Sequence, residues 1–180
     1  DVLGSELYNL FAQVRGRYPR IHIIDNADPR LLKKYLEQKG LKAESTDIYI
    51  SSKSGDTVET LANGYFFINW LNKTLEESEV WKHIIITTND IQRGEAYNFF
   101  KDKPVKMWYI PTGKHDVGGR YSVLSPSGLL SAAYAGIDIR GLLKGASFIK
   151  SKIDSDDYQI NLAFRAAILC YLALLEGKYI

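Results

Sequence analysis

The 180 residues are 46% hydrophobic and 24% charged, with 14 glycines against 5 prolines, the profile of a soluble globular domain whose length buries roughly 70% of the unfolded surface without disulfides or metals. Its 23 basic and 21 acidic residues leave a formal charge of +2, with both signs scattered, which argues against nucleic acid and against a membrane surface as partners. No stretch reaches the roughly 18 apolar residues of a membrane span and no secretory signal is visible, while the single Cys170 in "AAILCYLALL" reads as a buried, inert thiol in a reducing, cytoplasmic setting.

In chain order, "IHIID" at 21–25 reads as a buried strand closed by a turn. Asp28 and Pro29 then supply an N-cap and first helical position for a helix that Gly40 ends. "TDIYIS" is the next strand, and a helix is expected from about Thr57 to Lys73. "TLEESEVWK" reads as an exposed connection into a third, strongly buried strand, "HIIITT" at 83–88. A short helix at "RGEAYNFFKD" and a fourth strand at 105–110 follow. From Ser125 onward only helices are expected, the greasiest of them, 162–175, as a core helix. Alternating helices and near-continuous apolar strands predict an α/β fold: a doubly wound three-layer αβα sandwich on a parallel sheet of four to five strands. One domain is expected over 1–180, with a helical segment from about 125.

Such sheets bind ligands at the carboxyl ends of their strands. The loop "SSKSGDTVET" at 51–60 lies at one such end, between strand and helix, and offers the hydroxyls of Ser51, Ser52, Ser54 and Thr57, the charge of Lys53 and the freedom of Gly55. The first turn of the following helix carries unpaired N–H groups and a partial positive charge, an anion site by construction. The competing reading is a plain helix cap by Asp56 or Thr57, with Glu59 or Thr60 as its capping-box partner. Local composition leaves the two readings even. Neither GxxxxGK[ST] nor GxGxxG is present, which disfavours ATP and NAD and favours a phosphate monoester on a small ligand.

Two further stretches carry candidate chemistry. In "HDVGGRYSVLSPSGLL", Gly118 and Gly119 allow close backbone approach and Arg120 presents a permanently charged fork, although on local grounds a tight turn with a surface arginine is the simpler account. His115 is a loop histidine with no assigned role. At the start of the chain, Gly4 and Ser5 head an apparent helix, for which Ser5 is a natural N-cap.

Taken together, "VLGS", "IIDNADP", "SSKSGDTVETLAN" and "DVGGRYSVLSPSGLLSAAYAGIDIRGLLKGA" resemble, in this order, the glucose-6-phosphate isomerase family of the sugar isomerase (SIS) fold, from about residue 3 to the end. The resemblance implies that Ser52, the backbone at Lys53, Ser54 and Thr57 hold a sugar phosphate, and that Glu59 supports ring opening by partnering a histidine. It implies that Gly119 and Arg120 lie beside the reacting carbons, where the arginine stabilises an enediolate, and that Gly4 and Ser5 contact the sugar. No cofactor and no metal are implied. A hexose 6-phosphate is the implied ligand, and a homodimer the implied assembly.

Family enzymes are more than twice as long, with two SIS domains. Their general-base glutamate, ring-opening histidine and late lysine have no counterpart here, and His115 lies in the wrong motif to serve. The chain begins with Asp1 and its only methionine is Met107, so the expectation is a processed, trimmed or partial first domain of a longer two-domain enzyme. The alternatives are a non-catalytic SIS module that binds a sugar phosphate and regulates a partner, and a phosphosugar isomerase of other specificity.

Overall fold

The computed structural model describes residues 19–89, 92–112 and 117–178. Gly4, Ser5 and His115 lie outside them. The chain divides into two compact units, one ending at Gly136 and one spanning Ile137–Ile180.

In the first unit the elements run α1 (Pro29–Lys39), a 3₁₀ turn (Ala43–Ser45), β1 (Ile48–Ser51), α2 (Val58–Asn72), α3 (Glu77–Val80), a 3₁₀ turn (Trp81–His83), β2 (Ile84–Asn89), α4 (Glu95–Phe100), β3 (Lys106–Ile110), a 3₁₀ turn (Gly119–Leu124) and α5 (Pro126–Tyr134). The sheet is parallel in the order β1-β2-β3, with Ile48 opposite Ile84 and Ile85 opposite Lys106. All six residues of central β2 are buried, as a strand covered on both faces requires. The core gathers around it, with Phe100, Leu71, Val80, Ile84, Ile86 and Ile110 almost fully enclosed. Helix α2 approaches β1 so closely that a Cβ on Gly64 would come within 2.6 Å of Ile50 Cδ1.

The α/β class and the parallel sheet match the expectation, but among the described residues the sheet has three strands instead of four to five. The run Ile21–Asp25 forms no strand. A strand exists only through its ladder, and residues 19–24 line one cleft of about 620 Å³ with the 46–51 stretch and form no ladder with it. The supposed exposed connection at 74–82 is also different. It folds into α3 and a 3₁₀ turn that bury Val80 and Trp81 in the core, the acidic residues of α3 facing out.

Helix α1 is built as read. Asp28 accepts from the Arg30 N–H at 2.9 Å, Pro29 opens the first turn, and Gly40 closes the helix in the left-handed region at φ 60°. The side-chain and backbone hydrogen bonds from Arg30 hold the Asp28 carboxyl below the ordinary aspartate range. A depressed native pKa makes the cap fully effective above the unfolded aspartate value and removes it as pH falls through the lower native value. In acid titrations followed by circular dichroism, Asp28→Asn should therefore flatten this part of the wild-type acid transition while leaving neutral-pH helix content unchanged. Coincident acid limbs for the two proteins would disprove the assignment.

The second unit consists of α6 (Ile139–Ile153) and α7 (Leu162–Leu175). Asp138 caps α6 by accepting from Arg140 N and Gly141 N. Neither helix contains a buried residue, so the expectation of a core helix at 162–175 gives way to a helix with exposed apolar side chains. Cys170, expected to be buried, is exposed for the same reason, since two helices alone enclose no core around it. The single buried side chain among this unit's described residues is polar: Asn161, 2% exposed. Its Oδ1 accepts from Ala163 N and Phe164 N while its Nδ2 donates to Ile153 O and Ser155 O.

Candidate functional site

The loop between β1 and α2 starts in the core. Ser52 is 5% exposed, its N–H donates to Thr87 O at 3.0 Å, and its Oγ accepts from Gly55 N at 3.2 Å. That same Oγ donates to Thr57 Oγ1 at 3.1 Å, and Ser54 Oγ accepts from Asp56 N at 3.2 Å. Gly55 holds φ 78°, with its missing Cβ 3.1 Å from Thr88 Oγ1, so both its backbone angle and the space beneath it require glycine.

The loop is also braced from the far side of the sheet edge. Asn89 Nδ2 at the end of β2 donates to Ser54 O at 3.0 Å and to Arg93 O at 3.2 Å, and Ala96 N donates to Gly55 O at 2.9 Å. These restraints fix the loop's backbone in advance of any ligand, which lowers the entropic cost of binding.

The choice between helix cap and anion cradle turns on two side chains. Thr57 occupies the N-cap position of α2 but makes no capping hydrogen bond, because its Oγ1 is turned toward Ser52. Asp56 does not cap α2 either. Its Oδ1 accepts from Glu95 N at 2.8 Å, capping α4 instead. The first turn of α2 thus keeps its amides uncapped by either residue, next to three hydroxyls, on a helix of 15 residues. That is the arrangement in which a helix N-terminus attracts an anion, worth about 0.3–1 kcal/mol at an exposed site and up to ~2 when partly buried.

The second candidate stretch is brought to this loop by three ties. Lys53 Nζ donates to Val117 O at 2.5 Å, so the lysine side chain spans to the stretch of chain that leads into Gly119 and Arg120. Ser51 Oγ and Ser127 Oγ are 2.6 Å apart, and Tyr49 Oη donates to Ser127 O at 2.8 Å. Thr87, fully buried, donates to Ser51 Oγ at 2.9 Å and lies 2.8 Å from Tyr49 Oη. Arg120 and Gly119 ride on the 3₁₀ turn Gly119–Leu124, both exposed, and a Cβ at Gly119 would touch nothing within 4 Å. Ser122 Oγ closes that turn by donating to Gly119 O at 2.7 Å, and Ser125 caps α5 by accepting from Ser127 N. Glu59, exposed, sits in the first turn of α2.

Ser52, Lys53, Ser54, Thr57 and Glu59 are therefore consecutive parts of one junction, and Gly119 and Arg120 are held to it through Lys53 and Ser127. Sequence reasoning did not find Tyr49, Thr87, Asn89 or Ser127. For Tyr49, Thr87 and Asn89 the only sequence signal is polarity inside otherwise apolar strands, which for Thr87 and Asn89 in the fully buried β2 is a request for internal partners, and Ser127 in the first turn of α5 carries none.

A family model described as phosphoglucose isomerase matches residues 3–176. The chain belongs to the phosphoglucose isomerase family. It is 36% identical over 177 residues to the glucose-6-phosphate isomerase of Carboxydothermus hydrogenoformans, covering 98% of this chain and 36% of that protein. It is 38% identical over 127 residues to that of Thermus thermophilus, covering 71% and 29%. Among solved structures, a hypothetical protein from Thermus thermophilus superimposes with a TM-score of 0.77 at 31% identity over 94% of this chain and 39% of that one. A glucose-6-phosphate isomerase from Chlamydia trachomatis does so with a TM-score of 0.66 at 26% identity over 92% and 31%. The chain thus spans about a third of the length of these relatives. Among the described residues no helix is long and apolar enough to cross a membrane.

Proposed function

We propose that this chain supplies the sugar-phosphate-binding part of a glucose-6-phosphate isomerase, which interconverts glucose 6-phosphate and fructose 6-phosphate through an enediolate. The observation that carries the reading is the uncapped first turn of α2 beside Ser52, Ser54 and Thr57, with Asp56 drawn off to α4. The phosphate is held by those hydroxyls and by backbone at Lys53. Arg120 offers positive charge to the oxyanion that develops as a proton passes between C1 and C2, Glu59 supports ring opening, and Gly119 leaves room for the sugar. Gly4 and Ser5 complete the sugar contacts. Binding the remote phosphate contributes by positioning the reacting carbons. The general base comes from a second domain of a two-domain enzyme in which this chain is the first SIS domain. The enzyme works as a cytoplasmic homodimer in glycolysis and gluconeogenesis.

Calorimetric titration of this chain with glucose 6-phosphate, glucose and inorganic phosphate tests the binding half, and a coupled isomerase assay tests the catalytic half. Glucose 6-phosphate should bind, glucose should not, and turnover by these 180 residues alone should be absent. No difference between glucose 6-phosphate and glucose would refute the cradle, and robust turnover would refute a base lying elsewhere.

A further inference from the structure

Four hydroxyl-bearing side chains from three elements close on one another where the phosphate loop meets α5. Tyr49 and Ser51 stand two residues apart on β1 and so share a face of the sheet, and Thr87 of β2 is the ladder partner of Ser51. Thr87, 0% exposed, donates to Ser51 Oγ at 2.9 Å and lies 2.8 Å from Tyr49 Oη. Both β1 side chains then take hold of a single residue of α5. Tyr49 Oη donates to Ser127 O at 2.8 Å, and Ser51 Oγ is 2.6 Å from Ser127 Oγ. The remaining polar group of Ser127, its N–H, donates to Ser125 Oγ at 3.3 Å. From there a run of serines leads to the arginine turn, Ser125 Oγ donating to Ser122 O at 2.6 Å and Ser122 Oγ to Gly119 O at 2.7 Å.

Ser51 adjoins Ser52 and Gly119 adjoins Arg120, so an unbroken path of hydrogen bonds and peptide links spans the two halves of the candidate site. Gly128, with no room for a Cβ against the Val123 backbone, takes the slack out of the contact between α5 and the turn. Apolar side chains of the same shape would fill the junction at little cost in stability, because replacing both partners of a buried hydrogen bond is nearly neutral. What they would lack is direction. A satisfied polar network admits one arrangement, whereas aliphatic packing tolerates several. The other tie between loop and turn, from Lys53 Nζ to Val117 O, is solvent-exposed and sits at the end of a flexible stem, which makes it the weaker constraint.

We propose that Tyr49, Thr87 and Ser127 are positioning residues that set the distance between the phosphate loop and the Arg120 turn, and that this distance selects six-carbon sugar phosphates over shorter ones. The inference rests on the reading of the loop as a sugar-phosphate cradle. A ligand anchored by its phosphate meets the turn only when the carbon chain between its two ends matches the span. A five-carbon ester falls short and keeps its phosphate contacts alone. The three hydroxyls are engaged with one another and with α5, so they act by placing the turn and not by touching the ligand.

The test titrates the 180-residue chain with glucose 6-phosphate, ribose 5-phosphate and inorganic phosphate. The parent should prefer glucose 6-phosphate to ribose 5-phosphate by about tenfold or more, the scale on which a site resolves one missing carbon. Tyr49→Phe should weaken glucose 6-phosphate about tenfold while ribose 5-phosphate and inorganic phosphate stay within about twofold, so that the preference disappears. Ser127→Ala, which cuts the link to Ser51, should act in the same direction, and Thr87→Ser, which keeps the hydroxyl, should retain the parent's preference. A merely structural role would lower all three affinities together. That result would overturn the inference, as would a preference left unchanged in Tyr49→Phe and Ser127→Ala, or a parent that binds both sugar phosphates equally. A parent that binds none of the three ligands would take the cradle reading down as well, which separates the two failures. Where Tyr49→Phe does not fold, Ser127→Ala at a half-buried position decides the matter by the same ratio.

Discussion

Replacing Ser52 and Thr57 together with alanine should abolish measurable binding of glucose 6-phosphate. Each hydroxyl can make a hydrogen bond to a charged oxygen, worth about 1.5–3 kcal/mol. Losing both therefore corresponds to a fall of roughly a hundredfold to ten-thousandfold in affinity. Part of the Ser52 effect is structural, because its Oγ also accepts from Gly55 N and donates to Thr57. That part should cost about 1 kcal/mol of stability, and a thermal denaturation run beside the titration separates it from the binding loss. Affinity within twofold of the parent would rule out this loop as the phosphate site.

Gly128→Ala should act at a distance on the same site. A Cβ at this position would lie 2.2 Å from Val123 O, 2.6 Å from its Cα and 2.7 Å from its carbonyl carbon, all backbone atoms that no rotamer change can withdraw. Alanine gains about 1 kcal/mol of helix propensity over glycine, but this clash forces the Gly119–Leu124 turn away from α5. We expect a net loss of about 2 kcal/mol, within the usual cost of overpacking, seen as a thermal midpoint lowered by roughly 4–8 °C. Because Gly119 and Arg120 sit on the displaced turn while Asn89 and Ala96 still brace the phosphate loop from β2 and α4, glucose 6-phosphate should lose affinity while inorganic phosphate keeps its own within about threefold. An unchanged thermal midpoint would show that the turn accommodates the methyl group, and equal losses for the two ligands would show that the turn and the loop are a single rigid piece.

Local chemistry made part of this fold readable. Asp28, Pro29 and Gly40 are adjacent to the helix they bound, and the unbroken branched run 84–86 states its own burial. The loop 51–57 was visible because hydroxyls, glycine and a helix start lie within a few residues. What escaped depended on partners far along the chain. The run 21–25 has the composition of a strand, but a ladder needs a neighbour that composition does not report. Asp56 looked like a cap for its own helix and instead caps one whose first residue is 39 positions away. Tyr49, Ser51, Thr87 and Ser127 join across separations of 36 to 78 residues, with no periodicity to announce them. Cys170 and its helix read as core because their side chains are apolar, although exposure is set by what surrounds a helix and not by its composition.

Asn161 gives the two-helix unit an unusual thermodynamic character. A helix pair normally closes on interlocked aliphatic side chains, whose grip strengthens over part of the temperature range as water is excluded. Here, among the described residues, the one enclosed group is an amide that ties the end of α6 to the start of α7 through four hydrogen bonds. Such a joint is directional and water can compete for it, so it sets the angle between the helices firmly while contributing little to their cooperative melting. Ile139–Leu175 is thus a helix pair whose joint is specified by a polar side chain and not by an apolar core.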